Sequence, residues 1–197
     1  MHHVRQTFRF LTLVLAGNTL GLTLGHLLEM PAKLALSTTD YLIVQRIYSG
    51  FGVLGALVEP AAIVCAIVLA FLARGTRAFK PALAGALCLV AALLIWVAAV
   101  NPTNAAWQTA SPSMVPPDFE SLRMRWEWGH AARAALVFVG FVSLVIAVLA
   151  DMAAAAAAAV KLTVPKATTT NAPEATTKSS SDAPTKNGTA ADKNAAA

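Results

Sequence analysis

The sequence predicts an all-α membrane protein: a four-helix transmembrane bundle followed by a disordered carboxy-terminal tail. Hydrophobic residues make up 57% of the 197 residues and charged residues only 13%, a balance far from that of a soluble domain. The apolar residues form four continuous runs, each near the roughly 20 residues that a helix needs to cross a bilayer. Lipid offers the backbone no hydrogen-bond partners, so uninterrupted runs of this length favour helices over strands.

The predicted spans are residues 8–28, 51–73, 81–100 and 131–150, which places the membrane domain within residues 1–152. Their charged flanks predict the orientation, because basic residues in short loops stay on the cytoplasmic side. The amino-terminal flank and the loop between the second and third spans are basic and contain no acid (Arg5, Arg9, Arg74, Arg77 and Lys80). Both termini are therefore predicted to be cytoplasmic, in a multi-pass protein of a plasma-type cell membrane whose main partner is lipid.

The tail is predicted from composition. Residues 153–159 are all alanine, and no large apolar residue follows Val164 in a stretch rich in Ala, Thr and Lys. Such a segment cannot bury a core. Residues 153–197 are therefore predicted to be disordered.

Polar residues inside the spans are the first candidates for function. Glu59 lies within the second span, where a lone carboxylate must be protonated, paired with a cation or exposed to a wet cavity. Asn18 lies in the first span, where it would hydrogen-bond Glu59 or an opposing backbone carbonyl. Beside Asn18, glycines recur every four residues (Gly17, Gly21 and Gly25), a stripe that predicts close packing against Gly52, Gly55 and Ala56 of the second span.

A second set of polar residues lies at the predicted outer ends of spans one and four. His26 and Glu29 are three residues apart, as are Glu127 and His130, and Arg133 follows on the same helical face. Three interpretations fit this pattern. The cluster could hold iron, manganese or zinc; it could be a hydrogen-bonded network in which Glu29 or Glu127 pairs with Arg133 or Arg125; or it could be a metal-free acid and base site. The sequence alone assigns neither a metal nor a cofactor to the cluster.

The segment 101–104, Asn-Pro-Thr-Asn, is predicted to end the third helix, because the residue before proline leaves the helical region. Asn101 and Asn104 then either cap the helix or cover a pocket. Together with Asn18 and Glu59, they are the residues that we predict to contact a substrate.

Four blocks of sequence resemble the anthrone oxygenase-like family of four-helix membrane proteins. They are GHLLEMPAK at 25–33, YLIVQRIY at 41–48, NPTN at 101–104 and RWEWGHAAR at 125–133, and the resemblance covers roughly residues 7–150. It implies an oxygenase that converts a polyketide anthrone to a quinone with molecular oxygen and without an evident organic cofactor.

The same resemblance implies roles for five residues in catalysis. His26 or His130 would deprotonate a flat apolar substrate that enters from lipid. Glu29 or Glu127 would orient that base, and Arg133 would stabilise the oxyanion.

A non-catalytic role competes with this one: a membrane protein that binds a small hydrophobic ligand, or an accessory subunit, with homo-oligomers compatible with either. The chain has no nucleotide-binding loop, nucleophile elbow or cysteine metal motif, and nothing in it predicts a nucleic-acid partner.

Overall fold

The computed structural model describes residues 2–163. In chain order, the elements are α1 (His2–Leu34), α2 (Thr38–Gln45), a 3₁₀ turn (Arg46–Tyr48), α3 (Ser49–Leu72), α4 (Phe79–Ile95), a π-helical turn (Trp96–Val100), α5 (Asn101–Thr109) and α6 (Phe119–Thr163). Apart from one isolated bridge between Ser111 and Met114, no β structure occurs in this part of the chain.

The predicted four-helix membrane fold is confirmed. Helices long and apolar enough to cross a membrane cover His3–Leu34, Gly50–Leu72, Phe79–Thr109 and Phe119–Val160. They form a ring in which α1 packs on α3, α3 on α4, α4 on α6, and α6 back on α1. We call the end with residues 35–48 and 110–118 the distal end, and the end with the chain's first residues the proximal end.

The proximal end is closed by an ion cluster and a tight turn. Asp151 of α6 is 4% exposed and pairs with Arg5, at 2.6 Å, and with Arg9. The α3–α4 connection turns at Gly75, whose φ of +76° is a conformation that side chains disfavour. The ion pairs of Asp151 hold α1 to α6 at the proximal end.

The helices approach most closely between α4 and α6, not between the first two spans. A Cβ added to Gly85 would lie 2.6 Å from Leu144 Cγ, and one added to Gly140 would lie 3.0 Å from Cys88 Cβ. Added Cβ atoms at Gly21 and Gly52 meet nothing within 4 Å. The predicted glycine seam between spans one and two is therefore wrong. The four-residue spacing of glycines shows that one face of the helix lacks side chains, but it does not show which helix packs against that face.

The third span continues past the point where sequence predicts its end. Asn101 donates its backbone N–H to Trp96 O, which closes the π-helical turn, and Pro102 lies in the first turn of α5, where proline is tolerated. Because Pro102 has no N–H, the carbonyl of Ala98 is left for another donor, and Arg125 Nη2 donates to it at 2.6 Å. The prediction that 101–104 ends the helix is wrong, because this turn accommodates the proline.

Helix α6 also extends further than predicted. It includes residues 153–163, which sequence assigned to the disordered tail. Alanine has the highest helix propensity, and elongating a formed helix avoids the cost of nucleation. The rest of the predicted tail, 164–197, lies outside the described residues.

Candidate functional site

A cavity of about 240 Å³ lies in the distal half of the bundle and is lined by α1, α3, α6 and the α4–α5 segment. Most of its wall is apolar. The ionisable and amide side chains of its lining are His26, Tyr48, Glu59, Asn104, His130 and Arg133. Five of these six, all except Tyr48, were candidates from the sequence, and the fold brings them together from four separate helices.

An ion pair between α3 and α6 forms one side of the cavity. Arg133 Nη2 donates to Glu59 Oε2 at 2.6 Å, and each residue is 6% exposed. Of the states open to Glu59, pairing with a cation is thus the one observed. Glu59 Oε1 and Arg133 Nε are buried without a hydrogen-bond partner among the described residues. The pair therefore keeps one acceptor and one donor for a ligand.

Two histidines face each other beside this ion pair. The ring centroids of His26 and His130 are 4.1 Å apart, and the Trp126 ring packs against His130 with a centroid separation of 4.3 Å. Arg133 Nη1 lies 3.5 Å from His130 Nδ1. A guanidinium can only donate, so this contact assigns an acceptor Nδ1 to His130 and places the proton of the neutral ring on Nε2.

His26 differs from His130 in its hydrogen bonding. The residue is only 7% exposed. Its Nδ1 atom is buried and has no hydrogen-bond partner within the part of the chain that the structure describes. A buried polar atom without a partner is costly unless a ligand or water satisfies it. His26 Nδ1 is therefore a buried ring nitrogen that can hydrogen-bond a ligand or a water molecule.

Asn104 of α5 lines the cavity next to Trp126. Its Oδ1 accepts a hydrogen bond from Trp126 Nε1 at 2.8 Å. Because an indole N–H only donates, this bond fixes which end of the amide is oxygen. The Asn104 amide hydrogens are then available for an acceptor in the cavity.

The distal end of the cavity is capped by a buried lysine that sequence reasoning did not single out. Lys33 Nζ lies 2.9 Å from Glu127 Oε1 and 3.8 Å from the centroid of the Trp126 ring. Two more rings surround it, with centroids at 4.8 Å for Tyr41 and 4.5 Å for Tyr48. Lys33 is 4% exposed and Glu127 is fully buried. The feature of the sequence that pointed to this site was a single lysine directly after the apolar residues 30–32.

Both tyrosines of this cap are held neutral. Burial and the neighbouring Glu127 carboxylate raise the pKa of Tyr41 well above its ordinary value. The Tyr41 hydroxyl donates a hydrogen bond to Glu127 Oε1, with 2.9 Å between the two oxygens. Burial and the hydrogen bond to Glu29 raise the pKa of Tyr48 in the same way. Tyr48 is thus a neutral donor to Glu29 rather than a base in the cavity.

Other predicted residues have different partners from those expected. Glu127 pairs with Lys33, and Glu29 accepts from Tyr48, so neither carboxylate orients a histidine or pairs with an arginine. Asn18 donates to Val14 O in its own helix rather than to Glu59 or an opposing helix. Asn101 is exposed at the start of α5. Neither asparagine lines the cavity.

The interpretation of the cluster as a metal site has no geometric support within residues 2–163. No group of three or more His, Cys, Asp or Glu side chains there is arranged to hold a metal ion. Arg133 Nη1, rather than a carboxylate, contacts the His130 ring.

Comparison with known proteins confirms the resemblance. A family model described as anthrone oxygenase matches residues 48–143, a segment that includes Glu59, Asn104, His130 and Arg133. The match begins after α1, so His26 and Lys33 lie outside it. No curated protein and no solved structure matches the chain.

Proposed function

We propose, on the premise of this anthrone oxygenase match, that the protein is a membrane-embedded oxygenase that oxidises a flat, apolar aromatic substrate inside the distal cavity. One observation carries the proposal: Glu59, Arg133 and His26 line a mostly apolar cavity, and each has a buried polar atom that lacks a partner among the described residues. A ligand with an apolar body and a polar oxygen matches that wall. Phe51, Trp96 and Trp126 also line it and offer rings for stacking.

The chemistry begins with a C–H bond made acidic by a conjugated ketone. His26 Nδ1 accepts this proton, and the negative charge of the resulting anion moves onto the ketone oxygen. Arg133 and the Asn104 amide donate to that oxygen, where charge develops in the transition state. Glu59 holds the guanidinium in place and leaves Oε1 to accept a substrate hydroxyl. Glu59 thus positions Arg133, whereas the resemblance implied that Glu29 or Glu127 would orient the histidine base.

Molecular oxygen is the oxidant in this scheme. The methylene carbon of the substrate loses two hydrogens and gains one oxygen atom as a new ketone, while the second oxygen atom leaves as water. His26 first takes a proton from carbon and transfers it onward, and a second proton leaves the same carbon as the oxygen–oxygen bond breaks. Substrate and dioxygen together supply every atom and electron of the reaction.

Turnover of anthrone by protein in lipid nanodiscs tests the proposal. Oxygen uptake and the absorbance of anthraquinone should rise together, and labelled dioxygen should leave one labelled oxygen in the product. His26→Ala should lower turnover by about 10²- to 10⁴-fold, the usual contribution of a general base. His3→Ala, an exposed histidine near the amino terminus, is the matched control and should keep wild-type turnover.

A substrate analogue separates loss of chemistry from loss of fold. 10,10-Dimethylanthrone has the same ring system but no acidic hydrogen at the reacting carbon, so it should bind without reacting. If His26→Ala binds this analogue and still oxidises anthrone at the wild-type rate, the assignment of the base is wrong. Binding of the analogue without oxygen uptake from anthrone by the wild type would favour the alternative, a non-catalytic ligand-binding protein.

The predicted orientation places this cavity in the outer half of a plasma-type membrane, and that remains a prediction. A single cysteine at Ser113, in the distal loop, should react with an impermeant maleimide added outside intact cells. If the cysteine at position 113 reacted with the maleimide only after the cells were opened, the distal end would face the cytoplasm and the predicted orientation would be wrong.

A further inference from the structure

The distal end of the cavity is closed toward water. Trp126, Lys33 and Tyr48 are 2%, 4% and 8% exposed and pack together across that end. The Glu127 carboxylate and the Tyr41 hydroxyl tie this layer to α2. A ligand approaching from the aqueous side would have to break a buried ion pair and separate three aromatic rings.

The α3 side of the cavity is open instead. Gly52, Ala56 and Pro60 recur every four residues on one face of α3, line the cavity and are all exposed. They lie within the apolar span Gly50–Leu72. A residue that lines a cavity and is also exposed at membrane depth marks a place where the cavity meets lipid.

Among the described residues, there is open space beside two glycines of this face. A Cβ added to Gly52 or Gly55 meets no atom within 4 Å. Leu93 and Trp96 line the cavity from the α4 side, and Trp96 begins the π-helical turn. Turns of this type occur often at functional sites.

We infer that the cavity is entered sideways from the bilayer, through a window between α3 and the π-helical end of α4. The occupant is a planar apolar molecule dissolved in lipid that carries a ketone or hydroxyl oxygen. The ligand specificity rests on the proposed function, whereas the route itself does not. Glu59, Arg133 and His26 line the cavity behind this window, and each has a buried polar atom without a partner among the described residues.

Narrowing the window should slow ligand exchange. Ala56→Leu and Gly52→Leu add side-chain volume at exposed positions of α3 that line the cavity. Matched controls are Ala84→Leu, an exposed alanine of α4, and Gly21→Leu, an exposed glycine of α1; neither residue lines the cavity.

The measurement is stopped-flow quenching of tryptophan fluorescence by 10,10-dimethylanthrone in nanodiscs. For Ala56→Leu we expect association and dissociation rates to fall together by about tenfold with little change in Kd, since a barrier on the route affects both directions equally. Both controls should match the wild type. Unchanged rates in Ala56→Leu would overturn the lateral route, and failure of the wild type to bind the analogue would overturn the proposed ligand site.

Cysteine labelling tests the route independently of catalysis. In a background with Cys65→Ala and Cys88→Ala, Ala56→Cys should react with a lipid-soluble maleimide and not with a charged, impermeant one. Bound 10,10-dimethylanthrone should protect Ala56→Cys but leave Ala84→Cys reactive. Labelling of Ala56→Cys by the charged reagent would show that the window opens to water and would overturn the inference.

Discussion

The Lys33–Glu127 pair offers the sharpest test of the energetics of the distal cap. Lys33→Met keeps the length of the side chain and removes the ammonium group. Glu127, which is fully buried, then retains only the Tyr41 hydroxyl as a hydrogen-bond partner on Oε1. Its Oε2 already lacks a partner among the described residues, so the substitution leaves a buried charge without compensation.

The expected loss follows from the geometry. Two unit charges about 4 Å apart interact by about 4 kcal/mol at an effective dielectric constant of about 20. Removing one partner of a buried pair costs about 3–5 kcal/mol, and the lost contact of Lys33 with the Trp126 ring adds about 0.5–2 kcal/mol. We expect Lys33→Met to lower the free energy of unfolding by about 5 kcal/mol.

A double-mutant cycle isolates the pair. Glu127→Gln alone should also cost about 3–5 kcal/mol because it leaves the ammonium buried. Lys33→Met with Glu127→Gln should cost less than the sum by about 2–3 kcal/mol, the upper range for residues in contact.

Unfolding by sodium dodecyl sulfate in mixed micelles, followed by circular dichroism, gives these free energies. Lys80→Met, at an exposed position, is the matched control and should change stability by less than about 0.5 kcal/mol. A loss below about 1 kcal/mol for Lys33→Met, or strict additivity in the cycle, would refute the assignment of a buried ion pair.

Two further predictions concern the tyrosines and the close helix approach. The chain has only two tyrosines, Tyr41 and Tyr48, and the pKa of each is raised in the folded protein. Tyrosine ionises at pH about 10 in unfolded chains, so below that pH neither phenol changes the free energy of unfolding. Above that pH only the unfolded state gives up these protons, so stability should fall; tyrosinate absorbance should appear near pH 10 in denatured protein but not in folded protein, and its appearance in folded protein would contradict the burial of both phenols. Gly85→Ala should destabilise by about 1–3 kcal/mol in the same unfolding assay, because its Cβ would lie 2.6 Å from Leu144 Cγ; Gly21→Ala has open space and should be neutral or stabilising, and equal effects of the two changes would argue against the close α4–α6 contact.

Candidate residues for the site were accessible from sequence because polar groups inside apolar spans are few and costly. Glu59 was selected on that ground, and His26, His130 and Arg133 were selected by their three-residue spacing at the ends of two spans. The fold brings all four to one cavity. Lys33 was missed because a lysine near the end of a span usually extends to the interface, and nothing local reveals that Glu127 and three rings surround it.

The sequence by itself determined the number and kind of spans and the polar residues within them, because the length of an apolar run and the cost of burying charge are local properties. Only the tertiary structure decided which groups pair. Arg133 meets Glu59 across 74 positions of chain, and Gly85, rather than the glycine stripe of α1, makes the close approach. Such choices depend on how each helix is rotated about its axis within the bundle. That rotation is set by the summed packing of all four helices, and no single helix carries it in its own spacing.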